Sequence, residues 1–223
     1  MEIGYKNLGY FFLILLGLVF LGFFKTYFGL FPRFNAETTP VVHFHFFVQS
    51  LWVCILITQP LLIRYEKFKI HRLIGKLTYV LAPLIVVSII LMWQKGITDP
   101  ATENSPANYL RYLLKNHFHS LCDMLLLIAF YSLAIFNKQT TKVHMRYMIA
   151  IALLYIDPTL SRLVNYWFNV SDSNSDLITI LFTDAILLGL ICYDIKYNRS
   201  YKPYLFALSL FLIYHISYFI FYY

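Results

Sequence analysis

The sequence has little charge and few cysteines. Only 13% of its 223 residues are Asp, Glu, Lys or Arg, whereas soluble domains carry roughly 25%. This deficit excludes a soluble globular enzyme and a disordered chain. The three cysteines are too few for a disulfide framework, and their place inside apolar runs predicts small buried hydrophobic residues: Cys54, Cys122 and Cys192.

Long apolar runs make up most of the chain. A helix that crosses the hydrocarbon of a bilayer needs about 20 mostly apolar residues. Runs of that length recur at residues 8–31, 42–63, 72–94, 113–136, 143–167, 175–195 and 203–223. The sequence therefore predicts an all-α protein with one polytopic membrane domain, residues 1–223, folded as a seven-span transmembrane helical bundle in a lipid bilayer. The 19 tyrosines and 21 phenylalanines are typical of interfacial belts and lipid-facing surface.

Basic residues are unevenly divided between the connections. Twelve lie at the N-terminus (Lys6) or beside the connections after the second, fourth and sixth segments, and five lie on the other side. Because short cytoplasmic loops are enriched in Lys and Arg, we expect a cytoplasmic N-terminus and an external C-terminus. The net charge of +7 then reports topology, and no nucleic-acid partner is predicted. The external connections carry most of the loop acids: Glu37, Asp99, Glu103, Asp172 and Asp176.

Six of the seven histidines open four consecutive segments. The external ones are His43, His45, His117 and His119, and the cytoplasmic ones are His71 and His144. Each external His-Phe-His is followed, four residues after its second histidine, by a polar residue, Gln49 or Asp123. The spacing to the cytoplasmic histidine is also similar in both halves. The pattern predicts a duplicated core of two helical hairpins, residues 42–167, arranged as a four-helix bundle.

Only one histidine of each His-Phe-His can face such a core. Residues two apart on a helix point about 200° apart, since a turn takes 3.6 residues. Gln49 and Asp123 lie one turn beyond His45 and His119 and would be unfavourable in lipid. This favours His45 and His119 as the inward pair, with His43 and His117 as the alternative.

Histidines on four consecutive helices, alternating between the two sides, resemble the two-haem transmembrane b-type cytochromes. That superfamily includes the ascorbate-reducible cytochromes and ferric reductase-like proteins, and the resemblance covers helices 2 to 5. It implies two bis-histidine haem b groups and transmembrane electron transfer, an oxidoreductase-type role fed by a cytoplasmic or quinol donor. The implied ligands are His45 with His119 (or His43 with His117) outside and His71 with His144 inside, with Arg72 and Arg146 near the propionates.

A second resemblance is closer in sequence. The stretches from Ile70 to Lys76 and from His144 to Met148, the latter continuing to Pro158 and Arg162, are similar to a bacterial predicted-membrane family with no assigned function. This resemblance implies a location in a bacterial inner membrane. It implies no activity.

Two further functions compete with electron transfer. The external histidines could form a zinc or copper site with Asp123 or Asp157 and serve a metal-dependent membrane hydrolase or transporter. That hypothesis leaves His71 and His144 without a role. A cofactor-free accessory membrane subunit is the other alternative.

Three charged residues lie at membrane depth. Asp157, Arg162 and Asp184 must face the bundle interior or a water-filled cavity. We expect Arg162 to contact Asp157 or Asp184, and the functional alternative is a proton relay or a quinone or ferric-substrate site. His215, between Tyr214 and Tyr218, is interpreted as a packed interfacial residue.

Overall fold

The computed structural model describes residue 5, residues 7–95 and residues 106–222. All regular structure in these residues is helical, so the chain is an all-α protein. The helices are α1 (Leu8–Gly22), α2 (Pro40–Arg64), α3 (Phe68–Lys95), α4 (Pro106–Asn116), α5 (Phe118–Phe136), α6 (Thr141–Leu153), α7 (Ile156–Phe168), α8 (Asp172–Lys196) and α9 (Lys202–Tyr222), with a short 3-10 turn at Phe28–Leu30.

Six helical segments of the described chain are long and apolar enough to cross a membrane. They are α2, α3, α5, the α6–α7 pair, α8 and α9. The protein is therefore an integral membrane protein by length and composition of its helices. We call the end of the bundle where α2, α5 and α8 begin the upper end, and the end where α3, α6 and α9 begin the lower end.

The first apolar run forms a shorter helix than its length predicts. The run covers residues 8–31, but α1 has 15 residues and ends at Gly22, which at 1.5 Å per residue is about 22 Å. An aromatic turn follows, in which the ring of Tyr27 stacks on Phe46 at 3.8 Å. Packing of these rings holds the turn against the first part of α2.

The fifth segment is broken in the middle of the membrane. Residues 143–167 are predicted as one helix, yet α6 ends at Leu153 and α7 begins at Ile156. Proline has no N–H, so Pro158 cannot donate to the carbonyl of Leu154 four residues earlier. The amides of Leu154 and Tyr155 instead donate three residues back, to Ile151 and Ala152. The break places Asp157 in the first turn of a new helix.

The fourth segment bends at its upper end. His117 leaves the helical conformation with φ −132° and ψ 24° and separates α4 from α5. In α4, Leu113 is buried while Arg111 and Lys115 are exposed. The remainder of the predicted external loop, residues 96–105 with Asp99, Pro100 and Glu103, lies outside the described residues, as does Lys6.

Three antiparallel hairpins form the bundle. They are α2 with α3, α5 with α6, and α7 with α8; α9 packs against α8, α6 and α5, and α1 packs between α2 and α7. The most deeply buried large side chains include Trp52, Phe130 and Leu187. Many apolar side chains are exposed on the outside of the bundle, as expected where lipid is the solvent.

The cysteines are only partly where the sequence predicts them. All three are free thiols, in keeping with the predicted lack of a disulfide framework. Cys122 is half-buried, but Cys54 and Cys192 are exposed on the bundle surface, so the prediction of burial is wrong for these two. An apolar run in a membrane helix does not distinguish the core-facing side from the lipid-facing side.

Candidate functional site

Ionisable and hydroxyl side chains from four helices meet in the upper half of the bundle. Helix α5 contributes a histidine and an aspartate, α7 and α8 contribute one aspartate each, and α9 contributes two tyrosines. We call this set the upper cluster: His119, Asp123, Asp157, Asp176, Tyr214 and Tyr218.

His119 stands between two carboxylates. Its Nδ1 lies 3.7 Å from Oδ2 of Asp157, and its Nε2 lies 3.6 Å from Oδ2 of Asp176. The hydroxyl of Tyr214 hydrogen-bonds to Nδ1 at 2.5 Å, and the ring of Tyr218 packs 4.3 Å from the imidazole, centroid to centroid. An imidazole in this position can exchange protons through either nitrogen.

Hydroxyl groups hold both carboxylates in place. Thr179 donates to Oδ1 of Asp157 at 2.6 Å, and the hydroxyl of Tyr214 lies 3.4 Å from Oδ2 of the same carboxylate. Tyr218 donates to Oδ2 of Asp176 at 2.7 Å. These hydrogen bonds join α7, α8 and α9 around the histidine of α5, so the geometry of the cluster depends on all four helices.

Asp123 adds a third carboxylate to the cluster. Its Oδ1 is buried and has no hydrogen-bond partner in the described part of the chain. Asp123 interacts electrostatically with Asp157 and with Tyr214. Three carboxylates so close together cannot all be charged without a large electrostatic cost, and bound protons are the simplest means of reducing that cost.

Arg162 lies one turn and a half beyond Asp157 on α7. Its guanidinium donates from Nη1 to the carbonyl oxygen of Pro158 at 2.8 Å and lies 4.7 Å from the ring centre of Phe23. Arg162 and Asp157 interact electrostatically, but no ion pair joins them among the described residues, so the predicted direct contact is not observed. Asp184 has a different partner, His215, 3.1 Å away.

The two histidines predicted as the upper ligand pair have different partners. His119 belongs to the upper cluster, whereas Nδ1 of His45 lies 3.0 Å from the hydroxyl of Ser88 on α3. That hydroxyl donates to the carbonyl of Ile85 at 2.7 Å, so Nδ1 of His45 is the donor to Ser88 and Nε2 keeps its lone pair. Gln49, one turn from His45, accepts a hydrogen bond of 2.6 Å from Tyr155.

The alternative pair lies among aromatic side chains at the upper surface. Nδ1 of His43 hydrogen-bonds with the hydroxyl of Tyr27 at 2.8 Å. The ring of His117 lies 5.5 Å from Tyr112 and 6.5 Å from Trp93, centroid to centroid. Burial lowers the pKa of His117 below its usual value. Neither imidazole belongs to the upper cluster.

At the lower end, His71 and His144 are near enough to interact electrostatically. Nδ1 of His144 hydrogen-bonds with the carbonyl of Ala134 at 2.8 Å, which fixes the proton on Nδ1 and leaves Nε2 as an acceptor. Nδ1 of His71 is buried with no hydrogen-bond partner among the described residues. We call His71 and His144 the lower couple.

Space is present beside the lower couple. Gly75 lies one turn after His71 on α3, and a Cβ atom added there would meet only Nε2 of Gln59, at 3.9 Å. That amide donates to the carbonyl of His71 at 3.3 Å, while its Oε1 is buried without a hydrogen-bond partner in the described chain. Unsatisfied buried polar atoms beside open space are typical of a site for a ligand or water.

The two arginines predicted to lie near the haem propionates differ in their exposure and in their partners. Arg72 is exposed beside His71. Arg146 is fully buried and donates from Nε to Oδ2 of Asp194 at 2.6 Å. The carboxylate of Asp194 therefore already balances the charge of Arg146.

The sequence patterns do not identify three members of the upper cluster, nor the buried pair of His215 and Asp184. Asp176 is interpreted from the sequence as a loop acid, but α8 begins at Asp172 and includes it. Tyr214 and Tyr218 are interpreted as belt residues, although their spacing of four places both on one face of α9. His215 is not interfacial: it is buried and paired with Asp184.

No group of three or more His, Cys, Asp or Glu side chains within residues 7–95 and 106–222 is arranged to hold a metal ion. Comparison of the chain with protein-family models, with curated proteins and with solved structures found no match in any of the three.

Proposed function

We propose that the protein is a proton-coupled membrane transporter whose upper cluster binds and releases the proton. The observation that carries the proposal is the position of His119 between Asp157 and Asp176, at distances of 3.7 and 3.6 Å. Ionisable side chains inside a membrane are costly, and they mark proton relays and substrate pathways.

The broken fifth span supports the same function. Transporters build midplane sites from discontinuous helices, because backbone groups freed at a break can face a cavity. Here the break at residues 154–155 immediately precedes Asp157. The carboxylate is thereby attached to a helix end that can move separately from α6.

The proposed topology has seven spans, with α1 as the first. Tyr5, just before α1, hydrogen-bonds to Asp194 at the lower end, and Lys25, just after it, donates to the carbonyl of Tyr166 at the upper end. The chain from residue 5 to residue 25 thus extends along the bundle. With the basic residues at the lower end, this topology places the N-terminus in the cytoplasm of a bacterium and the C-terminus outside its inner membrane.

A duplicated origin of residues 42–167 is part of the proposal. The hairpins α2–α3 and α5–α6 are each tightly packed and run in the same order. The halves have since diverged at their prolines, since α3 continues through Pro83 while the second hairpin is interrupted before Pro158. Of the two halves, only the second contributes to the upper cluster, through His119, Asp123 and Asp157.

Proton binding can be tested on the purified protein in liposomes on a solid-supported membrane. A pH jump on the upper side should displace charge as protons enter the cluster. Asp157→Asn and Asp176→Asn should each lose most of this signal, because the variants retain a hydrogen-bonding side chain but no titratable one. The control is Asp172→Asn, an exposed carboxylate on α8, which should behave as wild type.

Two outcomes would contradict the proposal. In the first, the two cluster variants displace as much charge as wild type. In the second, the purified protein contains stoichiometric zinc or copper that His119→Ala loses, which would make the cluster part of a metal-dependent hydrolase or transporter.

The second candidate function is electron transfer through haem b, favoured by the lower couple. Because Nδ1 of His144 is bonded to the carbonyl of Ala134, Nε2 is the atom that would act as a ligand. His71 is near enough to interact with His144 electrostatically, and Gly75 leaves room beside His71. Bound haem would supply one-electron transfer. The residues that fit are His71 and His144, with exposed Arg72 able to pair with a propionate; the resemblance further implies His45 and His119 at the upper end.

An optical spectrum tests this candidate. If the protein carries haem, reduction should give a b-type Soret and alpha band, and His71→Ala and His144→Ala should each lose the lower haem. His43→Ala, which changes a histidine bonded to Tyr27, is the control and should keep it. A colourless protein, or a His71→Ala variant with its full haem complement, would contradict the assignment.

A further inference from the structure

A second ionisable pair lies deeper in the membrane than the upper cluster. Nδ1 of His215 is 3.1 Å from Oδ2 of Asp184. Asp184 is the thirteenth of the 25 residues of α8, so the pair lies near the middle of the span. His215 is 5% exposed, which places the pair between α8 and α9 and not at the membrane surface.

One oxygen of this pair has no partner. Oδ1 of Asp184 is buried and accepts no hydrogen bond from the described residues, and Asp184 has no Lys or Arg within ion-pair distance there. Without an added proton, a neutral imidazole beside a carboxylate leaves a net charge of −1 in the middle of the bilayer. One bound proton, shared between Nδ1 and Oδ2, makes the pair neutral overall and removes most of that cost.

The pair and the upper cluster share two helices, α8 and α9. Helix α8 carries Asp176 in the cluster and Asp184 in the pair, and α9 carries Tyr214 and His215 next to each other. The ring of Tyr214 lies 5.8 Å from His119 and 5.0 Å from His215, centroid to centroid. Tyr214 therefore contacts an imidazole of each site.

The ionisable groups around Tyr214 and His215 come from several helices. Asp123 and Cys122 on α5, Asp157 on α7 and Asp176 on α8 all act electrostatically on Tyr214. On α6, Arg146 is paired with Asp194 at the lower end. The Phe211 ring, 5.8 Å from His215, lies one turn below it on α9.

We propose that Asp184 and His215 form a second, mid-membrane proton-binding site that exchanges its proton with the upper cluster through Tyr214. This inference rests on the proposed function, in which the upper cluster binds protons. In the exchange, one proton leaves the cluster and binds to the pair. One proton from water at the upper side then replaces it in the cluster. No other reactant is consumed.

The contact between Asp184 and His215 could also serve only to hold α8 and α9 together, as a structural clamp. One substitution separates this structural role from proton binding. Asn at position 184 still offers an oxygen to Nδ1–H of His215, so Asp184→Asn keeps the clamp and removes the titratable carboxyl. His215→Gln is the complementary variant, since it keeps a donor to Asp184 without an imidazole. The exposed Asp172 on the same helix supplies the matched control Asp172→Asn.

The experiment combines charge displacement with infrared difference spectra of the full-length protein in liposomes. At 1.5 Å per residue, Asp176 lies about 6 Å and Asp184 about 18 Å below the start of α8. A proton that reaches the pair crosses about three times as much of the membrane as one that stops at the cluster. Because wild type moves one proton to the pair and a second to the refilled cluster, Asp184→Asn should reduce the displaced charge about fourfold and remove one carboxyl band, while Asp172→Asn leaves both unchanged.

The outcomes separate this inference from the proposed function. If Asp176→Asn changes the signals but Asp184→Asn and His215→Gln match wild type, the pair is only a clamp and this inference is wrong. If neither wild type nor the cluster variants show protonation, the proposed function itself is wrong. Tyr214→Phe should keep both carboxyl bands but slow the deeper component, and an unchanged rate would exclude the route through Tyr214.

Discussion

The imidazole of His119 and the carboxylate of Asp176, 3.6 Å apart, connect the second residue of α5 with the fifth residue of α8. These helices have no extensive direct packing with each other, so the contact is made by the polar side chains. Tyr218 donates to the same carboxylate oxygen and packs on the imidazole. The polar contact thus joins two parts of the bundle that apolar packing leaves apart.

A double-mutant cycle should measure this relationship. His119→Phe leaves the carboxylate of Asp176 without the imidazole and should reduce the free energy of unfolding by about 1–3 kcal/mol. Combined with Asp176→Asn, it should show a coupling energy of about 0.5–3 kcal/mol in thermal unfolding in detergent. His43→Phe, whose partner is Tyr27, is the control and should be additive with Asp176→Asn. Additive effects of His119→Phe would contradict a direct interaction.

The break between α6 and α7 should depend on Pro158. Pro158→Ala restores the amide that can donate to the carbonyl of Leu154, so the two helices should merge and the amides of residues 154–158 should become slower in hydrogen exchange. Proton-dependent charge displacement should fall, because Asp157 changes its position. Pro83→Ala is the matched control, since α3 is continuous through Pro83. Unchanged exchange at residues 154–158 would show that another feature causes the break.

The sequence predicts the helical architecture well and the upper cluster only in part. Six of the seven predicted segments contain a helical stretch long and apolar enough to cross a membrane, because lipid requires such runs whatever the helices pack against. The first segment forms only the shorter α1. His119, Asp123 and Asp157 are identifiable as candidates because polar residues in such runs are costly. Asp176 escapes, because the polar start of α8 has the composition of a loop although its acids suit a helix N-terminus.

Other features could not be predicted from the sequence. The pairing of His45 with Ser88 and of His215 with Asp184 depends on which helices are neighbours, and periodicity does not specify this. The ring of Tyr27 likewise packs on Phe46, 19 residues further along the chain. These contacts are tertiary, so local patterns carry no signal for them.

Close packing of α1 on α7 should be sensitive to one glycine. A Cβ atom on Gly22 would collide with the backbone carbonyl of Thr159, whereas Gly17 has nothing within 4 Å of its Cβ position. Gly22→Ala should therefore destabilise the protein by about 1–3 kcal/mol. Gly17→Ala should stabilise it by about 0.5–1 kcal/mol through helix propensity. Equal effects of the two changes on thermal unfolding would mean that α1 does not pack on α7 at this position.

The buried ion pair of Arg146 and Asp194 should be more costly to break than to replace. Both side chains are 0% exposed, so Arg146→Met leaves an unpaired carboxylate and should cost about 3–5 kcal/mol. Adding Asp194→Leu should recover most of that loss, because an apolar pair needs no compensating charge. Thermal unfolding of the two variants is the measurement. A double variant as unstable as Arg146→Met would show that the unpaired carboxylate of Asp194 is not the main cause of the lost stability.

Asp194 also contacts Tyr5, and this contact should make the stability of the protein depend on pH in the alkaline range. Burial, together with the hydrogen bond of 2.9 Å that Tyr5 donates to Asp194, raises the pKa of Tyr5 from its usual 10 to about 12. The unfolded chain therefore loses the phenol proton first, so the stabilising contribution is complete below pH 10 and is lost as the pH rises towards 12. Tyr5→Phe removes this contribution, and the variant should lose less stability than wild type between these pH values. Tyr197→Phe, at an exposed ring, is the control and should retain the wild-type dependence. If Tyr5→Phe and wild type unfold in parallel over this range, the phenol of Tyr5 is not held by Asp194.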